Sequence, residues 1–271
     1  MHFLLENKLN LNNTKCCSSD RKVKLVSKNE FKIPKNFPDL SPGEAHVWRT
    51  FLDQPDEAVE FFGKILSEKE RERAKRFHFE KDCRKFTIAR GVLRMLIGKY
   101  QNVVPERLKI STGKYGKPAV TDEFNQPEIF FNLSHSDNLA VFAFTRETGI
   151  GVDVEQARQL KEMQRIARRF FSKHEYTVLN SLPKDDRTAG FFNAWTRKEA
   201  FIKALGEGLS HPLDTFAVTL RRGADARLLW VTGDPAEAAQ WSLISWKPAE
   251  DYVAALAIRR AGIKISFFEE A

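Results

Sequence analysis

The spacing of apolar residues changes several times along the chain, and each change predicts a different kind of element. From Leu66 to about Tyr100 the period is helical, with Ala89, Val92, Leu93, Leu96 and Ile97 facing a core. Ser67 is placed to cap that helix, and Glu70 three residues on completes a capping box. Residues 113–118, GKYGKP, read as a turn. In IFFNLSHSDNLAVFAFTRETGIGVDVE the pattern becomes extended. Leu139, Val141, Phe142 and Phe144 belong to a β-rich run, and a second short strand runs from Ile150 to Glu155 with Gly149 and Gly151 at its start. Helical patterning returns from Leu160 to Phe171 and from Phe191 to Leu205. Strand-like runs close the chain at Phe216 to Leu220, Ala226 to Val231, Trp241 to Trp246 and Tyr252 to Ile258.

Runs of helix followed by runs of strand favour an α+β fold over a doubly wound sheet. One echo points to duplication: Ala74-Lys75-Arg76-Phe77 returns as Ala167-Arg168-Arg169-Phe170. A turn ending in proline follows each, first in GKYGKPAV and then in GEGLSHPLDTFAV. Two α+β halves of similar design, joined near Arg146 to Gly149, would account for it. Residues 1–35 are rich in Asn, Lys and Ser and are expected to be a poorly ordered leader. An N-terminal half over 36–147 and a C-terminal half over 148–271 are expected to follow.

Composition narrows the setting. Apolar residues make up 42% of the 271 and aromatics 11%, enough for a core without disulfides or structural metals. Cys16, Cys17 and Cys83 form neither a disulfide framework nor a zinc pattern and are expected as reduced thiols. The opening MHFLLENKLNLNN lacks a basic region followed by a long apolar run. No apolar stretch approaches the roughly 20 residues that a bilayer requires, so the expectation is a soluble, cytoplasmic protein. A net charge of +8 and a pI near 9.3 suit nucleic acids, anionic membranes, acidic proteins or polyphosphate ligands without choosing among them.

The candidate chemistry begins at GIGVDVE. On a strand, Asp153 and Glu155 share one face while Val152 and Val154 share the other. Neighbouring carboxylates repel unless a cation sits between them, and magnesium takes oxygen ligands together with substrate phosphate. Taken alone, the pair also fits two solvated acids on a strand edge. In FFNAWTRKEAFIKALG, Trp195, Glu199 and Lys203 stack at four-residue spacing, which also describes an ordinary surface Glu–Lys pair. Ser134, His135 and Ser136 cluster in a turn between β-rich runs, where hydroxyls, backbone N–H groups and an imidazole could receive phosphate oxygens. Lys114 and Lys117 flank Gly116 and add positive charge. There is no P-loop, dinucleotide fingerprint, zinc helix or nucleophile elbow. An acidic pair with a lysine in a basic chain also fits a metal-dependent nuclease, though Lys203 lies far downstream of the pair. A non-catalytic nucleic-acid module would show steeply salt-dependent binding, but no interleaving of aromatic and basic residues supports it.

The segments LSEKERERAKRF, YGKP, FNLSHS, GIGVDVE, RRFFSKHE and WTRKEAFIKALGEGLSHPLD stand in this order between Leu66 and Leu220. Together they resemble the motifs of the Sfp-type 4'-phosphopantetheinyl transferases, which activate acyl and peptidyl carrier proteins. The resemblance implies two similar α+β halves with pseudo-twofold symmetry and an active site between them. It implies transfer of phosphopantetheine from coenzyme A to a carrier-protein serine, with release of adenosine 3',5'-bisphosphate. It implies Asp153, Glu155 and Glu199 at a magnesium ion, with Glu199 and Lys203 as the catalytic pair. Lys203 would meet the pyrophosphate, Ser134 and His135 would line the coenzyme A phosphates beside Asp153, Lys117 would approach the nucleotide, and Arg73 would lie near the 3'-phosphate. Glu70 stands where some relatives carry a basic residue. The implied partners are coenzyme A and carrier proteins, with no nucleic acid and no membrane, and a chain holding both halves is expected to act as a monomer.

Overall fold

The computed structural model describes every residue except 1–30, 114, 122, 124–126, 148, 207–210 and 271. Most of the expected leader, with Cys16 and Cys17, lies outside the described residues, as do Lys114 and part of GEGLSH. At the end of that leader, Phe31 and Lys32 are anchored. Lys32 bridges to Phe268, and the Phe31 ring meets Phe267 edge-on at 5.4 Å between centroids.

From there the chain runs through the same series of elements twice. The first pass is β1 (Glu44–Phe51), α1 (Asp56–Ile65), α2 (Glu68–Lys75), α3 (Glu80–Gln101), a 3-10 turn at Pro105–Arg107, the hairpin β2 (Ile110–Thr112) and β3 (Pro118–Val120), then β4 (Phe130–Ser136) and β5 (Leu139–Thr145). The second pass is β6 (Ile150–Gln156), α4 (Met163–Phe170), α5 (Lys173–Ser181), α6 (Lys184–Leu205), a 3-10 turn at Leu213–Thr215, the hairpin β7 (Phe216–Val218) and β8 (Leu228–Val231), then β9 (Ser242–Trp246) and β10 (Tyr252–Ile258). A last strand, β11 (Lys264–Glu269), has no counterpart in the first pass. The sheets are ordered β11-β1-β5-β4 and β6-β10-β9. In each half the leading strand pairs antiparallel with the closing strand. The architecture is thus α+β in two similar halves. The last strand leaves the second half and pairs parallel with β1 of the first.

The repeat is carried by two capping boxes. Ser67 caps α2 with Glu70, and Ser172 caps α5 with Glu175. Each glutamate then reaches the long helix that follows. Glu70 takes Arg94 at 2.5 Å and Arg90 at 2.6 Å, and Glu175 takes the fully buried Lys198 at 2.7 Å. Arg94 and Lys198 occupy the same position in two helices of 22 residues each. Both helices end on a left-handed residue, Asn102 and Gly206. The Ala74–Phe77 echo does not mark this repeat: its first copy ends α2, whereas its second ends α4, one helix too early.

Several boundaries differ from expectation. The helix predicted over Leu66 to Tyr100 is two helices, broken at 76–79 where no Gly or Pro signals a stop. The helix expected to end at Phe171 does so near there, and α5 then starts on its own cap. Helix α6 begins after Pro183, about two turns before the apolar pattern shows it. Three apolar clusters hold the layers together. One packs the first sheet on α3, one packs the second sheet on α6, and the third, with Val47, Val141, Val152, Val154 and Leu256, lies between the sheets. Among the described residues, no helix is long and apolar enough to cross a membrane.

Candidate active site

Strand β6 alternates as its sequence predicts. Val152 and Val154 enter the cluster between the sheets, and Asp153 and Glu155 face the other way. That other face meets α6 at very close range. A Cβ on Gly151 would fall 2.2 Å from the Ala200 carbonyl oxygen and 2.3 Å from the Ala204 nitrogen. Only glycine allows the strand this approach, and the approach brings Glu199 and Lys203 to the acidic pair. The Lys203 ammonium donates to Asp153 Oδ1 at 2.6 Å, to Ser134 Oγ at 2.9 Å and to the Val152 carbonyl at 3.3 Å.

Strand β4 closes the site from the first half through side chains. Every second residue reaches β6. The Asn132 side-chain oxygen accepts Val152 N–H at 2.8 Å, Ser134 donates to Asp153 Oδ1 at 2.9 Å, and Ser136 donates to Glu155 Oε2 at 2.9 Å. Ser136 Oγ also accepts Gln156 N–H at 3.1 Å. The Trp195 indole adds a hydrogen bond to Glu155. The sequence pattern reads Ser134, His135 and Ser136 as a phosphate-receiving turn and gives Asn132 no role; the structure sets all four on β4 and turns both serines to the acids. The period-two spacing of Asn132, Ser134 and Ser136 opposite the period-two acids is the signal that could have found this arrangement.

Three carboxyls share this space with one ammonium. Burial raises the pKa of Asp153, against the pull of Lys203. Burial and the Asp153 charge raise that of Glu155. Burial, then Asp153, raises Glu199 to about 7. One buried oxygen on each of Asp153 and Glu199, Oδ2 and Oε1, has no hydrogen-bond partner. Among the described residues no three His, Cys, Asp or Glu side chains stand as a preformed metal cage. The donor set still fits a hard cation: all ligands are oxygens, two are buried and unpaired, and their mutual repulsion is what an ion would relieve.

The other expected residues divide. His135 alternates to the opposite face of β4 from the serines and is exposed; partial desolvation of its ring by the surrounding protein, with the Lys203 and Lys85 charges, lowers its pKa. Arg73 is exposed on α2 beside Lys69, Arg76 and Phe77, and its guanidinium lies 5.4 Å from the Phe86 ring centroid. Lys117 turns its ammonium to backbone. It donates to the Lys203 carbonyl at 2.7 Å, the Ile150 carbonyl at 2.9 Å and the Ala204 carbonyl at 3.3 Å. Glu70 is a structural acid. Burial opposes its ionisation, but Arg90, the Ser67 N–H and Arg94 outweigh it and hold its pKa low.

Two similar α+β halves thus converge on a cluster of carboxyls and one lysine, a donor set suited to a hard cation. Residues 149–257 match the model of the 4'-phosphopantetheinyl transferase superfamily, and residues 53–147 match that of the 4'-phosphopantetheinyl transferase N-terminal region. The chain is 37% identical over 235 residues to the 4'-phosphopantetheinyl transferase HetI of Nostoc sp., covering 87% of this chain and 95% of that protein. It is 35% identical over 178 residues to the 4'-phosphopantetheinyl transferase Sfp of Bacillus subtilis, covering 65% of this chain and 77% of that one. The chain belongs to the 4'-phosphopantetheinyl transferase family.

Proposed function

We propose that the protein transfers 4'-phosphopantetheine from coenzyme A to a serine of an acyl or peptidyl carrier protein, using magnesium and releasing adenosine 3',5'-bisphosphate. The observation that carries this reading is the meeting of Asp153, Glu155, Glu199 and Lys203 at one buried point, with an unpaired oxygen on both Asp153 and Glu199. Asp153, Glu155 and Glu199 would hold the magnesium, which when bound neutralises phosphate charge.

The carrier serine oxygen attacks the β-phosphorus, and the bond to the departing bisphosphate oxygen breaks. Lys203 leaves Asp153 for the pyrophosphate oxygens and stabilises the charge that develops on the leaving group. Glu199, near 7 in the metal-free protein, is suited to taking the serine proton. Coordination lowers a carboxylate's basicity, so ligand and base compete at this residue. Ser134 would meet the phosphates beside Asp153, His135 would reach them from the opposite, exposed face of β4, and Arg73 would offer its charge to the 3'-phosphate from the basic face of α2. The net charge of +8 favours both polyanionic coenzyme A and acidic carriers. The protein is read as a monomer, because both halves of the site come from one chain, and a cytoplasmic location is proposed beside it.

Incubation with apo-carrier protein, coenzyme A and magnesium is expected to add phosphopantetheine to the carrier, seen by mass spectrometry. No mass gain with several diverse carriers would sink the reading. Glu199→Gln is expected to lower the rate at least about a hundredfold while the variant stays folded by circular dichroism. A fully active Glu199→Gln removes that residue from the chemistry.

A further inference from the structure

Resting on the proposed function, we infer that Lys117 is a positioning residue that ties the first half to the turn carrying Lys203, and that it is not a ligand of the substrate's phosphates. The last four carbonyls of a helix lack partners within it. At the end of α6, the Ile202 carbonyl is satisfied by Gly206 N–H. The next two, of Lys203 and Ala204, are satisfied by a side chain from the other half, that of Lys117 on β2–β3.

The third acceptor of Lys117 is the Ile150 carbonyl at the start of β6. An ammonium has three donors, and all three are assigned to carbonyls here. The stem passes close over Gly206, whose added Cβ would lie 3.6 Å from Lys117 Cδ. A helix C-terminus carries partial negative charge, which suits a buried cation and repels an anion. One side chain therefore fastens both elements that meet at Gly151, the strand bearing Asp153 and Glu155 and the helix bearing Glu199 and Lys203. Losing it would loosen the Lys203 turn without removing any group that touches the substrate.

The test is Lys117→Met, read three ways. Calorimetry without ligand should show the Tm lowered by at least about 3 °C. Titration with adenosine 3',5'-bisphosphate should give a Kd within about threefold of wild type, whereas loss of a charge-assisted phosphate contact costs tenfold or more. Turnover at saturating coenzyme A should fall about tenfold, with KM little changed. A bisphosphate Kd weakened tenfold overturns the inference, and so does a Tm shift below about 3 °C or an unchanged kcat. If Lys117→Met does not fold, Lys117→Arg, which keeps the charge in a bulkier head, is read by the same criteria. The calorimetric arm needs no transferase activity. A wild-type protein that modifies no carrier would sink the functional reading and leave the tie to be judged on Tm alone.

Discussion

The hydroxyl of Ser136 has little choice of direction. It accepts the Gln156 N–H, so its own proton is left for Glu155. Ser134 is similarly placed between the Lys203 ammonium and Asp153. These small donors hold carboxylates that would otherwise repel one another. All three carboxyls are held above their ordinary range in the folded protein. The metal-free folded state therefore binds protons more tightly than the unfolded chain. That contribution to stability is full below the ordinary carboxylate range and is lost as pH rises through about 7 at Glu199. The metal-free Tm is expected to fall between pH 5 and pH 8, and Glu199→Gln should remove part of the fall. Magnesium at pH 8 should raise the Tm again, since it binds only the folded form. Scanning calorimetry in chelator and in magnesium checks both; a metal-free Tm that rises over this range would contradict the raised carboxyls.

At the scale of elements, the decisive contact is β6 on α6. Gly151→Ala would set a methyl group against backbone rather than a movable side chain. A loss of about 3 kcal/mol or more is expected, measured by urea unfolding, together with loss of activity. A variant as stable as wild type would mean that strand and helix stand further apart. Local rules made several of these elements readable. The Ser67–Glu70 box, the acids of β6 and the helical row at Trp195, Glu199 and Lys203 follow from spacing alone. The Ser172–Glu175 box obeys the same rule but sits inside RRFFSKHE, where the surrounding apolar pattern hides a helix start. The break at 76–79 has no local signature: no helix breaker stands there, and the exposed Phe77 meets Phe86 across it. The contacts of Lys117 join residues dozens of positions apart, and no pattern in one stretch of chain encodes them.

For the whole molecule, the two-half design was legible in outline through the motif order, but its register was not. The echo that suggested duplication is out of step with the repeated elements, since its two copies end helices that are not equivalent. Strand β11 was invisible as a partner of β1, because parallel pairing across most of the chain leaves no local trace. Its removal is expected to be severe. Phe267 packs between the sheets, Phe268 lies against Trp48, and Glu269 pairs with Arg49. Buried aromatics contribute about 2 kcal/mol each, so a chain ending at residue 263 should lose more than about 10 °C in Tm. An unchanged Tm would show that β11 is dispensable to the first sheet.

Matching β1 to β6 through their partners sets Trp48, which faces Phe142, against Asp153, which faces Ala255. Thr50 then answers to Glu155, Met95 to Glu199, and His46, bonded to Tyr100, to Gly151. One copy of the frame carries an indole, a hydroxyl and a thioether where the other carries carboxylates. The two halves thus divide the labour: the first serves as scaffold and the second carries the site. A substitution at Trp48 or Met95 acts through fit, while one at Asp153 or Glu199 acts through charge.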